Sequence, residues 1–144
     1  MGPMKESTAV WIPVRTALAG HGFHLERIEM RSKAGLPDLA WSHLEHGAGW
    51  TEFKWESSPP GPGWKMSTLK RTQVGWIWRF QFSGRAGILC RAGDVWLFWY
   101  PRPESTWIET ILTDPLSLPH DRWVATDPES FADWLIGRFR DGRV

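Results

Sequence analysis

Two acidic residues and a lysine have the types and the spacing for chemistry at a divalent cation. Asp38 follows a Gly-Leu-Pro turn, and Glu52 and Lys54 lie in the next apolar segment. Because residues i and i+2 of a strand point the same way, Glu52 and Lys54 share one face. Carboxylates from neighbouring strands suit magnesium, which takes oxygen ligands and keeps waters for substrate phosphates. This set indicates phosphodiester hydrolysis, in which a cation activates a water and the lysine orients it or stabilises charge.

The two acids must be brought together by the hairpin that connects them. Strands are predicted over residues 38–44 and 50–56, with the reversal at the glycine-rich residues 47–49. In a simple symmetric hairpin of this kind Asp38 would face Ser57, and at about 3.3 Å per residue that offset is too long for a shared ion. The sequence therefore requires a bulge, a strong bend or a longer asymmetric loop between the acids.

Hydrophobic periodicity and turn residues predict the other elements. Before the hairpin lie a helix over 7–18, which Pro13 kinks or delays, and a strand over 23–30. After it come an exposed loop over 57–63, a helix capped by Ser67, strands over 86–90 and 95–100, a short strand over 107–112, and a last helix from the Thr126 capping box to about Arg140. The second helix has a buried stripe of Leu69, Gln73, Trp76, Ile77 and Phe80. This order predicts an α/β domain with one mixed sheet flanked by helices.

Composition places the chain among soluble globular proteins. Apolar residues make up 42% and charged residues 23% of the 144 residues, which fits one folded domain. The longest apolar run, residues 95–100, is far shorter than the roughly 20 residues that cross a bilayer. The N-terminus lacks the layout of a signal peptide and Cys90 is the lone cysteine, so we expect a reducing, cytoplasmic compartment. A net charge of +1 neither demands nor forbids a nucleic-acid partner.

Tryptophan is the compositional outlier, with twelve residues that follow no fixed period. The lack of a period argues against a repeat protein. We expect most of these side chains to pack in the core or in a homodimer interface, because tryptophan combines a large buried area with one donor. Base stacking is the functional alternative for the remainder.

The joint pattern resembles the PD-(D/E)xK nuclease superfamily. Pro37-Asp38 matches its first signature and Glu52-Phe53-Lys54 its second. The Gly-Leu-Pro-Asp-Leu sequence of residues 35–39, Gln73 on the next helix and a turn containing Gly84 are similar to the VRR-NUC and phage-type branch, in which relatives of Holliday-junction resolvases also occur.

This resemblance covers about residues 6–100 and implies the fold. The expected architecture is α/β, with a restriction-endonuclease-like mixed β-sheet core in the order α-β-β-β-α-β-β plus a C-terminal helix. Residues 1–144 then form a single nuclease domain, of which 101–144 are a C-terminal extension.

The resemblance also implies a role for each residue of the motif. Asp38 and Glu52 would bind magnesium or manganese, and the carbonyl of Phe53 would be a further ligand. Lys54 would position the attacking water, and Gln73 would face the scissile phosphate as a further catalytic residue. We expect no organic cofactor.

The two signature motifs do not specify the third acid or the residues that contact nucleic acid. Many members of the superfamily add a glutamate from the first helix, for which Glu6 is the candidate metal ligand, with Glu26 and Glu29 as rivals. The basic residues expected to contact nucleic-acid phosphates are Lys33, Lys65, Lys70 and Arg71.

These features favour an endonuclease that acts on DNA, with selectivity for junctions or flaps as one option. By the same resemblance we expect a homodimer, in the cytoplasm of a bacterial or phage-infected cell. Two other classes stay open: a nucleic-acid-binding or assembly module of the same fold without catalysis, and a tryptophan-rich structural partner protein. The five histidines and Cys90 show no zinc-ligand spacing, and no G-x-S-x-G elbow is present.

Overall fold

A mixed six-stranded sheet with helices on both faces makes up the computed structural model, which describes residues 5–28, 35–82, 85–124 and 127–141. The strands are β1 (Phe23–Arg27), β2 (Leu39–His43), β3 (Gly47–Glu56), β4 (Arg85–Ala92), β5 (Val95–Trp99) and β6 (Asp121–Val124). The helices are α1 (Ile12–Leu18), α2 (Arg71–Phe80), α3 (Thr106–Thr113) and α4 (Pro128–Asp141). A π-helical turn (Ser7–Trp11) leads into α1, and a 3-10 turn (Pro115–Ser117) follows α3. The predicted mixed α/β sheet is confirmed.

The strands lie in the sheet in the same order as in the sequence. β3 and β4 pair in parallel, and the other neighbouring strands pair antiparallel. A parallel pair requires a crossover connection, and α2 provides it between β3 and β4. None of the helices in the described ranges is long and apolar enough to cross a bilayer.

Alternation along the central strands sends apolar side chains to both faces of the sheet. Phe53, Leu89 and Phe98 pack on one face, together with residues of α1 and α4. Ile88 and Leu97 pack on the other face, together with residues of α2 and α3. The result is two apolar layers separated by the sheet.

All twelve tryptophans pack against these two layers, and none is exposed. One layer takes Trp11, Trp41, Trp55, Trp96, Trp123 and Trp134. The other takes Trp50, Trp64, Trp76, Trp78, Trp99 and Trp107. Core packing as the main role of tryptophan is therefore confirmed.

Pro13 is accommodated by the π-helical turn before α1. The N–H of Ile12 donates to the carbonyl of Ser7, five residues earlier, so the helix is widened just where the proline ring enters. Pro13 has no N–H for the carbonyl of Ala9, four residues earlier. Nη1 of Arg91, on β4, donates to that carbonyl at 3.0 Å. The carbonyl of Ala9, which Pro13 leaves without a helical donor, is thus bound by Arg91, and this hydrogen bond connects the first helix to the sheet.

The hairpin between β2 and β3 turns earlier than its glycines suggest. Its loop consists of residues 44–46, and Gly47 follows with a φ of +82°. A three-residue loop followed by a glycine in the left-handed region is a common hairpin connection. Residues 47–49 therefore belong to β3, and the predicted reversal at these residues was wrong.

This loop sets a register that places the two acids opposite each other. Leu39 pairs with Thr51 at the end of the ladder. One step beyond that pair, Asp38 comes opposite Glu52 and not Ser57. The loop is short and the ladder regular, so the requirement for a bulge, a strong bend or a longer asymmetric loop was wrong: a turn at residues 44–46 instead of 47–49 is enough to bring the acids together.

Two sequence predictions near the C-terminal half were wrong. Residues 107–112, predicted as a strand, lie in α3, because Trp107 and Ile111 are one helical turn apart and both are buried. β6 was not predicted, and it pairs with β5. The last helix is capped by Asp127, whose carboxylate accepts the N–H of Ser130 at 2.8 Å. Thr126, the predicted cap, lies outside the described residues, as does Gly84.

Ser67 does not cap α2, which corrects another prediction. Its N–H and its hydroxyl donate to the carboxylate of Glu56 at 2.6 and 2.9 Å. The helix begins four residues later at Arg71, and Oε1 of Gln73 accepts the N–H of Lys70 at 2.9 Å. The side chain of Gln73 thus satisfies a free donor at the helix start.

Candidate metal centre

The candidate site lies where β2 ends and β3 continues. The ladder between these strands stops at Thr51. Beyond it, the side chain of Asp38 replaces the missing strand, since Oδ2 accepts the N–H of Phe53 at 2.8 Å. The N–H and C=O of one strand residue point to the same edge, so the Phe53 carbonyl also points to the side of Asp38. The Asp38 carboxylate and the Phe53 carbonyl, two of the predicted metal ligands, therefore lie at the same edge of β3.

Glu52 is buried beside them, with only 2% of its surface exposed. Its Oε2 lies 3.4 Å from Nζ of Lys54. Its Oε1 is also buried and finds no hydrogen-bond donor among the described residues. A buried oxygen without a donor costs free energy unless a cation or a proton satisfies it.

The environment of Glu52 favours the protonated acid when no cation is bound. Burial raises the pKa of Glu52 to about 9, and the negative charge of Asp38 adds to the rise. The ammonium of Lys54 opposes it, whereas a hydrogen bond with Asp38 and the charge of Glu6 raise the pKa further. At neutral pH the metal-free protein therefore keeps Glu52 protonated.

Lys54 is buried as well, with 5% of its surface exposed. Besides the contact with Glu52, its Nζ donates to the carbonyl of Thr68 at 3.2 Å. Thr68 lies in the segment just before α2, so the crossover connection helps to hold the ammonium. A solvated surface pair, the ordinary role of such an E-x-K triplet, is ruled out by this burial.

Glu6 is the third acid that the structure brings to this cluster. It lies at the start of the π-helical turn, and burial raises its pKa to about 7. Asp38 raises that pKa further, whereas Lys54 and Arg27 lower it. All of these groups are therefore close enough to act on one another electrostatically.

The two rivals of Glu6 do not share this position. Glu26 is exposed on β1, where its carboxylate lies 3.5 Å from the imidazole of His24 in a solvated pair. Glu29 lies outside the described residues. Of the two described candidates, Glu6 and Glu26, only Glu6 affects the pKa of the buried Glu52.

Gly35 fixes the loop that delivers Asp38. Its φ is +88°, in the left-handed region that favours glycine. A Cβ at this position would come within 2.6 Å of the carbonyl oxygen of Thr72, in the first turn of α2. The loop of residues 35–38 can therefore lie against α2 only because residue 35 has no side chain.

The residues predicted on or before α2 do not join the cluster. Gln73 is engaged in capping α2, and the described contacts give it no hydrogen bond to the acids. The side chains of Lys65, Lys70 and Arg71 are exposed. Arg71 also pairs with Glu109 of α3 at 2.7 Å. Lys33 lies outside the described residues.

Arg27 is a residue near the site that the sequence did not single out. It is half-buried at the end of β1, and its charge lowers the pKa of Glu6. Its guanidinium carbon lies 5.6 Å from the centre of the Trp11 ring. The signal in the sequence was an arginine in line with Phe23 and Leu25, on the face of β1 that is otherwise apolar.

The donor set of the cluster suits a hard cation. Glu6, Asp38 and Glu52 contribute carboxylate oxygens, and Phe53 contributes a carbonyl oxygen, which are the ligand types that magnesium and manganese take. Among the described residues, no three histidine, cysteine or acidic side chains form a ready cage. Oε2 of Glu52 lies beside Lys54, and Oδ2 of Asp38 accepts the N–H of Phe53. Oε1 of Glu52, which has no hydrogen-bond partner among the described residues, is available as a metal ligand.

A groove of about 860 Å³ lies elsewhere, between α1 and the start of α4. Its lining includes Ile12, Trp96 and Phe131. It includes none of the four residues of the acidic cluster, which are Glu6, Asp38, Glu52 and Lys54. The cluster and this groove are therefore separate features.

Comparisons with known proteins do not assign the chain to a family. It matches no protein-family model, and no curated protein matches it. The arrangement of Glu6, Asp38, Glu52 and Lys54 is therefore the main indication of function.

Proposed function

We propose that the protein is a metal-dependent nuclease that hydrolyses DNA phosphodiester bonds with magnesium or manganese. The observation that carries this proposal is the buried carboxyl of Glu52, which has one unpartnered oxygen, beside Asp38 and the ammonium of Lys54. Burying acids beside each other destabilises a folded protein, and functional sites are where such arrangements concentrate.

The residues present fit such a cation. Asp38 and Glu52 would hold it, with the Phe53 carbonyl and Glu6 as further oxygen ligands. When bound, a cation of this kind lowers the pKa of a coordinated water and neutralises charge on the phosphate. Its positive charge would also replace the proton that Glu52 holds.

Lys54 has the position and the free donor for a role in the reaction. An ammonium has three N–H donors, and the directions towards Glu52 and Thr68 use two of them. The third is left for a water or a phosphate oxygen. Because the first two contacts fix the ammonium in a buried place, it can stabilise charge that grows on that oxygen without first being ordered.

The arrangement of strands supports a restriction-endonuclease-like topology for this sheet. An antiparallel hairpin of β2 and β3 carries the acids, and the parallel β3–α2–β4 crossover follows. The order from the first helix to β5 agrees with the α-β-β-β-α-β-β order implied by the resemblance.

Metal-dependent cleavage by matched variants tests the proposal. Labelled single-stranded, duplex, flap and four-way DNA would be incubated with magnesium, manganese or chelator. We expect the parent protein to cut with metal only, and Asp38→Asn and Glu52→Gln to lose at least about a hundredfold in rate. Glu26→Gln, which removes an exposed acid of the same charge, should cut at the parent rate.

Two results would overturn the nuclease proposal. One is a parent protein that binds DNA but makes no product with either metal, which would favour a binding module without catalysis. The other is a folded Glu52→Gln variant that cuts at the parent rate. Thermal melting of each variant shows whether it is folded.

A further inference from the structure

Arg27 is a cation near the acidic cluster whose donors are not used within the described structure. Its Nε is buried and has no hydrogen-bond partner among the described residues. No described carboxylate lies within ion-pair distance of its guanidinium, although Glu6 is close enough to be affected by its charge. Because Nε is buried, an external acceptor can reach only the two Nη groups, which make no hydrogen bond within the described structure and are not among its buried unpartnered atoms.

An aromatic stack fixes the guanidinium in place. Arg27 lies over the ring of Trp11, and Arg15 lies over the same ring at 5.8 Å. Trp11 itself stacks on Phe53, with 6.3 Å between ring centres and 30° between planes. Phe53 lies between Glu52 and Lys54 in β3 and points to the opposite face of the sheet, so the stack packs against the back of the strand that carries the candidate centre.

Stacking holds a guanidinium while its N–H groups stay available. Cation–π contact uses the face of the group, whereas the donors lie in its plane and can bind two phosphate oxygens at once. A carboxylate partner would have consumed those donors. Arg71, by contrast, already pairs with Glu109.

We propose that Arg27, stacked on Trp11, binds a backbone phosphate of the nucleic-acid substrate next to the one that is cleaved, with Arg15 as a second contact. This inference rests on the proposed function, because it requires a nucleic acid at the cluster. It moves the predicted phosphate contacts from the exposed residues near α2 to the side of the first helix and β1.

DNA binding without divalent metal separates this contact from the chemistry. Fluorescence anisotropy of a labelled duplex in chelator would be followed over a range of salt concentrations. Arg27→Met keeps the aliphatic stem over Trp11 but removes the charge and the donors, and Arg27→Lys keeps the charge without the planar fork. Arg122→Ala, at an exposed arginine on β6, is the matched control.

We expect Arg27→Met to weaken binding about tenfold at low salt and to reduce the slope of log Kd against log salt by about one. Arg27→Lys should retain that slope with weaker binding, and Arg122→Ala should behave as the parent protein. A change of slope reports a lost phosphate contact, which an effect on folding alone does not produce.

The outcomes distinguish the two proposals. A parent protein that cuts DNA, together with a folded Arg27→Met variant of parental affinity and slope, overturns the Arg27 contact alone. A reduced slope without any metal-dependent cleavage supports the contact and overturns the nuclease. A parent protein that binds no nucleic acid overturns both.

Discussion

Replacing Glu52 by glutamine should change how stability depends on pH in the metal-free protein. The pKa of this carboxyl is about 9 in the folded protein and near 4.5 in the unfolded chain. Between these values the folded protein holds a proton that the unfolded chain has released. The free energy of unfolding must therefore fall as pH rises through this window.

The size of the effect follows from the same two values. Each pH step of one within the window lowers the free energy of unfolding by about 1.4 kcal/mol for one such group. From pH 6 to pH 8, Glu52 should therefore remove about 3 kcal/mol from the stability of the parent protein. Glu6, whose pKa is about 7, adds to the fall below pH 7.

Urea unfolding in chelator at pH 6, 7 and 8 measures this slope. Glu52→Gln leaves Lys54 without its carboxylate, which lowers stability at every pH, so the slope and not the absolute value is compared. The slope should be shallower by the share of Glu52. Glu26→Gln, at an exposed acid, should keep the parental slope. A parent protein whose stability is flat from pH 6 to pH 8, or a Glu52→Gln variant with an unchanged slope, would refute the reasoning.

Three further substitutions test the packing that positions the site, each by urea unfolding. Gly35→Ala should cost more than Gly20→Ala, which costs about 1 kcal/mol, because both glycines have positive φ but only Gly35 faces a backbone carbonyl; equal costs would contradict this. Arg91→Met should cost about 1–3 kcal/mol, since the carbonyl of Ala9 loses its donor, and an unchanged midpoint would speak against that role. Gly137→Ala should add about 1 kcal/mol, because its Cβ meets nothing within 4 Å in α4; a lowered midpoint would show otherwise.

Local periodicity was enough to predict most elements and the pairing of two site residues. Glu52 and Lys54 share a face because they are two residues apart in a strand, and the structure places both on that face and buries them. The mixed sheet also followed from the order of helices and apolar strands. These features depend on residues close together in the chain.

Features that depend on one loop residue or on distant contacts could not be predicted. The register of the hairpin is set by the left-handed conformation of Gly47, which the neighbouring glycines could equally have adopted. The start of α2 moved because Ser67 bonds to Glu56 on β3, a partner that periodicity does not reveal. A strand was predicted where α3 lies, because Trp107 and Ile111 suit either element until burial decides.

The same limit applied to the candidate site. Glu6 could be proposed only by resemblance, because its approach to Asp38 depends on how the first helix packs on the sheet. Arg27 was missed because its contact with Trp11 joins two elements that are separate in sequence. Spacing within one strand thus indicated the chemistry, and packing between elements supplied the remaining groups.

Calorimetric titration of the protein with manganese at pH 7, in two buffers of different ionisation enthalpy, tests the central claim most directly. If the cation enters the acidic cluster, it displaces the proton of Glu52 and part of that of Glu6, so binding should release roughly one to two protons. Glu52→Gln should bind manganese much more weakly and release fewer protons. Binding without proton release, or a Glu52→Gln variant that binds as tightly as the parent protein, would contradict a metal centre at Asp38 and Glu52.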